Sequence, residues 1–377
     1  MLKLLILYLL KIFLSIFKIF SIKKNRFFFI SYQGKQYSCN PKAIYEYLCN
    51  CNEDNEYVWC VNKGINVPDI NGEKLICVEP KTLKYYHYLI TSHFVFTNIQ
   101  LPTYIPKNKK SVWINTWHGG GAYKRVETPE SNLYEKVTKK IQIKNTNYYI
   151  SSSEKFTEVM SESTGIPKEK FLKIGMPRND IFFAEEDKKS IISEKVRNKY
   201  GIKKEDFCVL YAPTYRGNLN SGDFKNELDV EMIKEVITKK FCRHVVLFIR
   251  SHHAAGINLN VYSTINVTDY PDMQDLLVAA DCLITDYSSC IWDFALTSKP
   301  GFLFTTDLEE YKNNRGFYMN IEDWCYEYGT TNKELADKIN KYDVSDASKK
   351  IELYLENMGN YDVGKACHSL LKKVLEM

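Results

Sequence analysis

A chain of 377 residues, 45% hydrophobic and 26% charged, is too apolar to be disordered and long enough for two globular domains of ordinary size. Its 51 basic and 46 acidic residues leave a formal charge of +5. That is too balanced for a general nucleic-acid binder, whose cations dominate one face or arm, although it suits anionic lipid or phosphate ligands. Among the eleven cysteines there is no C-x-x-C pair, and the nearest spacing, Cys49 and Cys51, fits no zinc pattern. Reduced thiols in a cytosolic setting, with no metal and no cofactor, are the simplest reading.

The chain opens "MLKLLILYLLKIFLSIFKIFSIKKNR". Its longest unbroken apolar run, Leu4 to Leu10, falls well short of the roughly 18 residues of a spanning helix. At about 100° per residue, Lys3, Lys11, Lys18, Ser15 and Ser21 share an arc of roughly 120°, which leaves a wide oily face. Residues 1–25 are therefore expected to form an amphipathic helix in the headgroup layer at the cytoplasmic membrane face. Lys23, Lys24 and Arg26 would add attraction to anionic lipid. This reading is preferred to a tilted span and to a cleaved signal peptide, since no small-x-small site follows.

From Arg26 onward, β-rich runs alternate with helical ones. The expected strands are "RFFFIS", "EYVWCV", "KLICVE", "HFVFTN", "SVWINT" and "NYYISS", then "FCVLYA", "HVVLFIRS", "INVTD", "CLITD" and "GFLFTT". Helical patterns lie between several of them, including "PKAIYEYLC", "EKFTEVMSES", "ELDVEMIKEVITKKF" and "MQDLLVAA". The alternation predicts an α/β protein with parallel sheets covered on both faces. Two domains are expected, at 26–177 and 178–360, around a charged stretch near 176–205 with little periodic signal. Residues 346–377 read as one or two helices, with the option that 361–377 packs back on the first domain.

In parallel α/β sheets, ligands bind beyond the carboxyl ends of the strands. Polar clusters recur there: Trp117, His118 and Gly119 to Gly121; Pro177, Arg178, Asn179 and Asp180; Pro213, Thr214, Tyr215 and Arg216; Arg250, Ser251, His252 and His253; Ser288 and Ser289. Drawn from both halves, they predict a shared cleft. Ser288 and Ser289 open a helix whose free N–H groups suit a phosphate, while an ordinary cap by Asp286 or Ser288 is the plainer alternative. Asp293, one turn further on an apolar helix, suits hydrogen bonds from ligand hydroxyls. His118 stands before three glycines that would let a ligand approach the backbone, a context that favours a general base over a structural histidine. Arg250 suits phosphate pairing, whereas "RSHH" and Arg315 in "NNRGFY" also fit plain surface loops.

Taken in order, "TWHGGGAYKR", "GMPRND", "VLYAPTYRG", "FIRSHH", "YPDMQDLLVAADCLITDYSSCIWDFALTSKPGFLF" and "DLEEYKNNRGFY" resemble the CDP-glycerol glycerophosphotransferase family of teichoic-acid and capsule synthesis. The resemblance runs from about residue 110 to 320 and is densest at TDYSS. It implies a GT-B-like fold of two facing Rossmann-like domains, with the acceptor on the N-terminal domain and CDP-glycerol mainly on the other. Members are typically peripheral at the inner membrane face. It further implies His118 as the base that deprotonates an acceptor hydroxyl, with Trp117 and Gly119 beside it as substrate contacts. His252 would meet the phosphate in transfer, Ser288 and Ser289 the diphosphate, Asp293 the glycerol, and Arg315 the phosphates. Arg178, Pro213, Thr214 and Arg250 would line the nucleotide pocket. Three departures stand out: Gly120 replaces the usual Thr, Arg250 the usual Lys and His253 the usual Pro. The implied reaction moves glycerol phosphate from CDP-glycerol to a lipid-linked or glycan acceptor and releases CMP. Use of CDP-ribitol or another activated donor stays open, as does a non-catalytic membrane-attached nucleotide-binding protein.

Overall fold

The computed structural model describes residues 1–51, 54–72, 74–126, 132–214, 228–250 and 263–376. The chain divides into two compact units. The first comprises Met1–His118, Val126–Asp180 and Tyr361–Met377, and the second Gly119–Arg125 and Ile181–Asn360. Arg178, expected to begin the second domain, thus belongs to the first unit.

In the first unit, helix α1 (Leu2–Leu14) and a 3-10 turn (Ser15–Ile19) lead into β1 (Lys23–Ile30). There follow α2 (Cys39–Cys49), β2 (Glu56–Cys60), β3 (Lys74–Val78), α3 (Leu83–Thr91), β4 (Ser92–Thr97) and β5 (Val112–Asn115). The rest of the sheet is carried by α4 (Leu133–Asn145), β6 (Tyr148–Ser151), α5 (Glu154–Thr164) and β7 (Phe171–Lys173). The strand order is β3-β2-β1-β4-β5-β6-β7, parallel throughout. Its central strands are covered on both faces, which is why they read as unbroken apolar runs: Phe28, Phe29, Val58, Trp59 and Val95 are fully buried. Helix starts follow ordinary capping, with Thr82, Asn132 and Ser153 accepting from N–H groups three residues on.

The opening segment corrects two expectations. The helix ends at Leu14 rather than near residue 25, because Lys23 already pairs in the sheet opposite Ser92. Arg26 is not a lipid-facing cation: it is buried and ion-paired with Glu56, and its guanidinium also donates to Thr91 Oγ1. Lys23 and Lys74 reach the same Glu56 carboxylate. Helix α1 buries Leu7 and Leu14, which at 100° per residue fall on the same side as Lys3, Lys11 and Lys18. Lys11 on that side is half-buried while Lys3 and Lys18 stay exposed, and the oily face turns outward, with Leu2, Leu5, Leu9, Ile12 and Phe13 exposed. Burial lowers the ammonium pKa values of Lys11 and Lys18, helped by repulsion from Lys144 and Lys109 respectively.

The second unit begins its own run with α6 (Glu186–Lys199), β8 (Phe207–Tyr211), α7 (Val230–Phe241), β9 (Val245–Ile249) and β10 (Thr264–Asn266). It continues with α8 (Met273–Ala279), β11 (Cys282–Thr285), α9 (Cys290–Ala295), β12 (Gly301–Phe304), α10 (Leu308–Asn314), β13 (Glu327–Gly329), α11 (Asn332–Lys341) and α12 (Val344–Asn357). The sheet order is β10-β9-β8-β11-β12-β13, again parallel. Its core joins Val209, Leu247, Ile284 and Phe302 to Ile233 and Ile237 of α7 and to Leu335 and Ile339 of α11.

The last helix, α13 (Ala366–Leu375), returns to the first unit and packs on α2. Among the described residues no helix is long and apolar enough to cross a membrane. No disulfide joins any of the eleven cysteines.

Candidate functional site

Each sheet has one point where the chain reverses its direction of strand addition, and the crevice beyond the carboxyl ends there is where α/β sheets hold ligands. In the first unit this point lies between β1 and β4, in the second between β8 and β11.

Beyond β1, β4 and β5 stand Tyr32, Asn98 and His118. The His118 ring nitrogen Nδ1 lies 2.9 Å from the main-chain oxygen of Asn98. A carbonyl only accepts, so Nδ1 carries the proton and Nε2 is the basic nitrogen. The side chain of Asn98, fully buried, accepts from the Tyr32 N–H at 2.8 Å. Trp117 and Tyr32 flank the imidazole, with ring centroids 4.4 and 5.8 Å away.

The "GMPRND" turn follows β7 and closes this region from the other side. Arg178 donates from Nη1 to the His118 carbonyl at 2.8 Å and to Cys39 Sγ at 3.3 Å. The Met176 N–H is held by Asp362 at 2.6 Å, and Asp180 accepts from the Ala366 and Cys367 N–H groups at 2.9 and 2.8 Å. That carboxylate serves as a distant cap for α13, whose own N-cap residue, Lys365, supplies none. The motif thus binds the returning C-terminal segment and steadies His118.

In the second unit β9, β8 and β11 are neighbours, so the residues directly after them, Ala212 to Thr214, Arg250 and Asp286 to Ser289, share one sheet edge. Asp286 organises them: its carboxylate accepts from the Thr214 N–H at 2.8 and 2.9 Å, the Thr214 hydroxyl at 2.6 Å and the Tyr287 N–H at 2.5 Å. Thr285 Oγ1 donates to Ala212 O, and the Arg250 N–H to Tyr211 O. Pro213, Thr214, Arg250, Ser288 and Ser289 are all half-buried along this edge. Helix α9 is only six residues long and its N-cap Ser289 makes no side-chain cap bond, so a long helix dipole is not what this edge offers. The Cys290 N–H reaches Ser288 Oγ at 3.4 Å. Asp293 is buried and accepts from Gln274 Nε2 at 3.2 Å, which answers the cost of a carboxylate on an apolar helix.

Gly120 and Gly121 serve packing. A side chain at Gly120 would meet Trp292 Cδ1 at 2.2 Å, and one at Gly121 would meet the ring of Tyr123 at 1.9 Å. Gly119–Arg125 instead pairs with the loop after α10: Tyr318 N–H to Tyr123 O at 2.9 Å, and Arg125 N–H to Gly316 O at 3.1 Å. Arg315 Nε donates to Arg125 O at 3.1 Å, and both arginines line an open groove of about 460 Å³ with Lys312 and Tyr318. His252, with His253, Tyr215 and Arg216, lies outside the described residues.

The family model of CDP-glycerol:poly(glycerophosphate) glycerophosphotransferases matches residues 12–376. The chain belongs to this family. It is 30% identical over 309 residues to a teichoic acid poly(glycerol phosphate) polymerase of Bacillus spizizenii, covering 78% of this chain and 77% of that protein. A Staphylococcus epidermidis polymerase of the same description is 30% identical over 366 residues, covering 92% of this chain, which spans half the length of that relative. Among solved structures, the wall teichoic acid polymerase TagF superposes with a TM-score of 0.83 at 26% identity, covering all of this chain and 95% of that one. The α/β architecture expected from the sequence is the family's.

Sequence reasoning passed over Asn40 and Asn98 and weighed Asp286 only as a helix cap. The signal for Asp286 was present: a carboxylate between an apolar strand and an apolar helix. Nothing in "SCNPK" marks Asn40, whose partners lie 76 residues and more away.

Proposed function

We propose that this member of the family transfers glycerol phosphate with His118 as general base and with the loops after β8, β9 and β11 as the donor site. The acceptor is a hydroxyl of a lipid-linked or glycan chain. Its oxygen attacks the β-phosphorus of CDP-glycerol, His118 Nε2 takes the hydroxyl proton, and the bond from that phosphorus to the bridging oxygen breaks. The products are CMP and a phosphodiester. The observation that carries this reading is the bond from His118 Nδ1–H to a main-chain carbonyl, which leaves the other ring nitrogen basic.

Phosphoryl transfer needs positioning and charge neutralisation more than covalent help. On the donor side Arg250, Ser288 and Ser289 supply donors for the diphosphate, with Pro213 and Thr214 against the nucleotide. Arg315 supplies a further cation, Asp293 acceptors for the glycerol hydroxyls, and His252 a contact to the phosphate in transfer. Trp117 and Gly119 meet the acceptor. The side chain of Arg178, engaged with His118 O and Cys39, serves the acceptor side in this scheme.

His118→Ala should abolish CMP release while CDP-glycerol binding, followed by calorimetry, persists; unchanged turnover would remove His118 from the base role. A panel of CDP-alditols with membrane acceptor extract, read by mass spectrometry, tests the donor. Absence of CMP from folded protein with every donor would favour a non-catalytic nucleotide-binding role.

The outward oily face of α1 supports peripheral attachment to the cytoplasmic membrane face, since an apolar helical face of that width gains by entering the headgroup layer. Vesicles containing anionic lipid should retain the full chain in co-sedimentation. The triple variant Leu5→Glu, Leu9→Glu and Ile12→Glu should release it, and retention of that variant would refute the attachment.

A further inference from the structure

Trp117, immediately before the proposed base, has φ of +51°, a left-handed conformation that bulky residues adopt only where surrounding bonds enforce it. Three consecutive carbonyls at this turn are gripped from outside it. Asn40 Nδ2 donates to Thr116 O at 2.9 Å and to Trp117 O at 3.1 Å, and Arg178 Nη1 to His118 O at 2.8 Å. The Trp117 N–H is taken by Asn115 Oδ1 at 2.9 Å. Asn40 also ties the two grips together, since its Oδ1 accepts from the Arg178 N–H at 3.1 Å. It is fully buried.

We infer that Asn40 is a positioning residue for the transfer reaction: its carboxamide holds the strained Trp117 peptide so that the His118 ring is aimed with Nδ1 on the Asn98 carbonyl. Only a carboxamide meets the chemical demand at that spot. Two donated protons face two carbonyls while one oxygen faces an N–H, so an aspartate would set an acceptor against carbonyls and an alanine would remove all three bonds, leaving Trp117 O with the Thr116 hydroxyl at 3.2 Å. Asn40 acts through His118, and the inference rests on the reading of His118 as base.

The full chain carrying Asn40→Asp or Asn40→Ala should release CMP with kcat lowered on the order of 100-fold, as expected for misplacement of a reacting group by about 1 Å. KM for CDP-glycerol should be unchanged. In protein labelled with ¹⁵N-histidine, the His118 ring signals, assigned by their loss in His118→Ala, should move from the Nδ1–H tautomer toward a mixture. A variant with a lower melting temperature but wild-type kcat and wild-type His118 signals would overturn the inference. Should Asn40→Ala fail to fold, Asn40→Ser, which keeps one donor toward these carbonyls, carries the same readouts. If His118→Ala turned over normally, the base reading would fall, yet the ring signals would still decide whether Asn40 fixes the imidazole.

Discussion

Substituting Gly120 by alanine separates two explanations of the triple glycine. The added Cβ would lie 2.2 Å from Trp292 Cδ1, with Nε1 and Cγ at 2.8 and 2.9 Å. Ordinary contact begins near 3.4 Å, so the overlap is 3.4 − 2.2 = 1.2 Å. Trp292 has no exposed surface and cannot swing into solvent. Gly120 has no left-handed φ, so no backbone strain adds to the steric overlap. Overpacking of this kind costs about 1–3 kcal/mol, and about 2 kcal/mol corresponds to a fall in melting temperature of about 4–8 °C for a unit of this size. Differential scanning calorimetry of Gly120→Ala, Trp292→Leu and the double variant measures it. The double variant should be less destabilised than the two single effects summed, because each relieves the other. A Gly120→Ala protein with the wild-type melting temperature and a raised KM would refute the packing account and restore ligand access as the reason for the glycine.

Thr214→Val removes the hydroxyl that donates to Asp286 at 2.6 Å; a hydrogen bond to a charged group contributes about 1.5–3 kcal/mol, so urea unfolding should register a loss in that range and KM for CDP-glycerol should rise, while Thr214→Ser keeps both. For Glu56, burial alone would raise the pKa, but bonds from Lys74, Arg26 and Lys23 outweigh it and hold the carboxylate at about 2, below its ordinary 4.5. Stabilisation from this group is therefore complete above pH 4.5 and lost as the pH falls toward 2; 2.5 decades at 1.36 kcal/mol each give about 3 kcal/mol. Glu56→Gln should flatten the acid limb of a stability-versus-pH curve, and an unaltered limb would contradict the assignment. Asp180→Ala should cost about 1 kcal/mol as a lost cap and speed amide exchange at Ala366 and Cys367; wild-type exchange there would mean the carboxylate does not hold α13.

Most of the strands visible in the sequence are well buried, although β3 and β10 were legible while largely unburied. β2, β8 and β11 are buried at every residue and β1 along residues 26–30, so they stand out as near-continuous apolar runs. β13, a three-residue edge strand, escaped notice. α6 was hidden because only Val196 and Arg197 of its fourteen residues are buried, which leaves no stripe to detect. At the sites, residues that follow a strand directly, such as His118, Thr214 and Ser288, were recognisable by position. The ones that orient them were not. Asn40 and Asn98 act through single carboxamide or carbonyl groups across long sequence separations, and such pairing leaves no local pattern.

Because α13 completes the first unit although Ile181–Asn360 intervenes, that unit's sheet is made on the ribosome before this partner. Between Asp180 and Tyr361 lie 361 − 180 = 181 steps of synthesis, on the order of 10–40 s at ordinary translation rates. Over that interval the apolar surface of α2 that faces α13 stays uncovered and Asp180 has no helix to cap. The nascent N-terminal half should thus be the species that recruits chaperones, and a fragment ending at residue 180 should gain solubility when a peptide spanning 361–377 is supplied in trans.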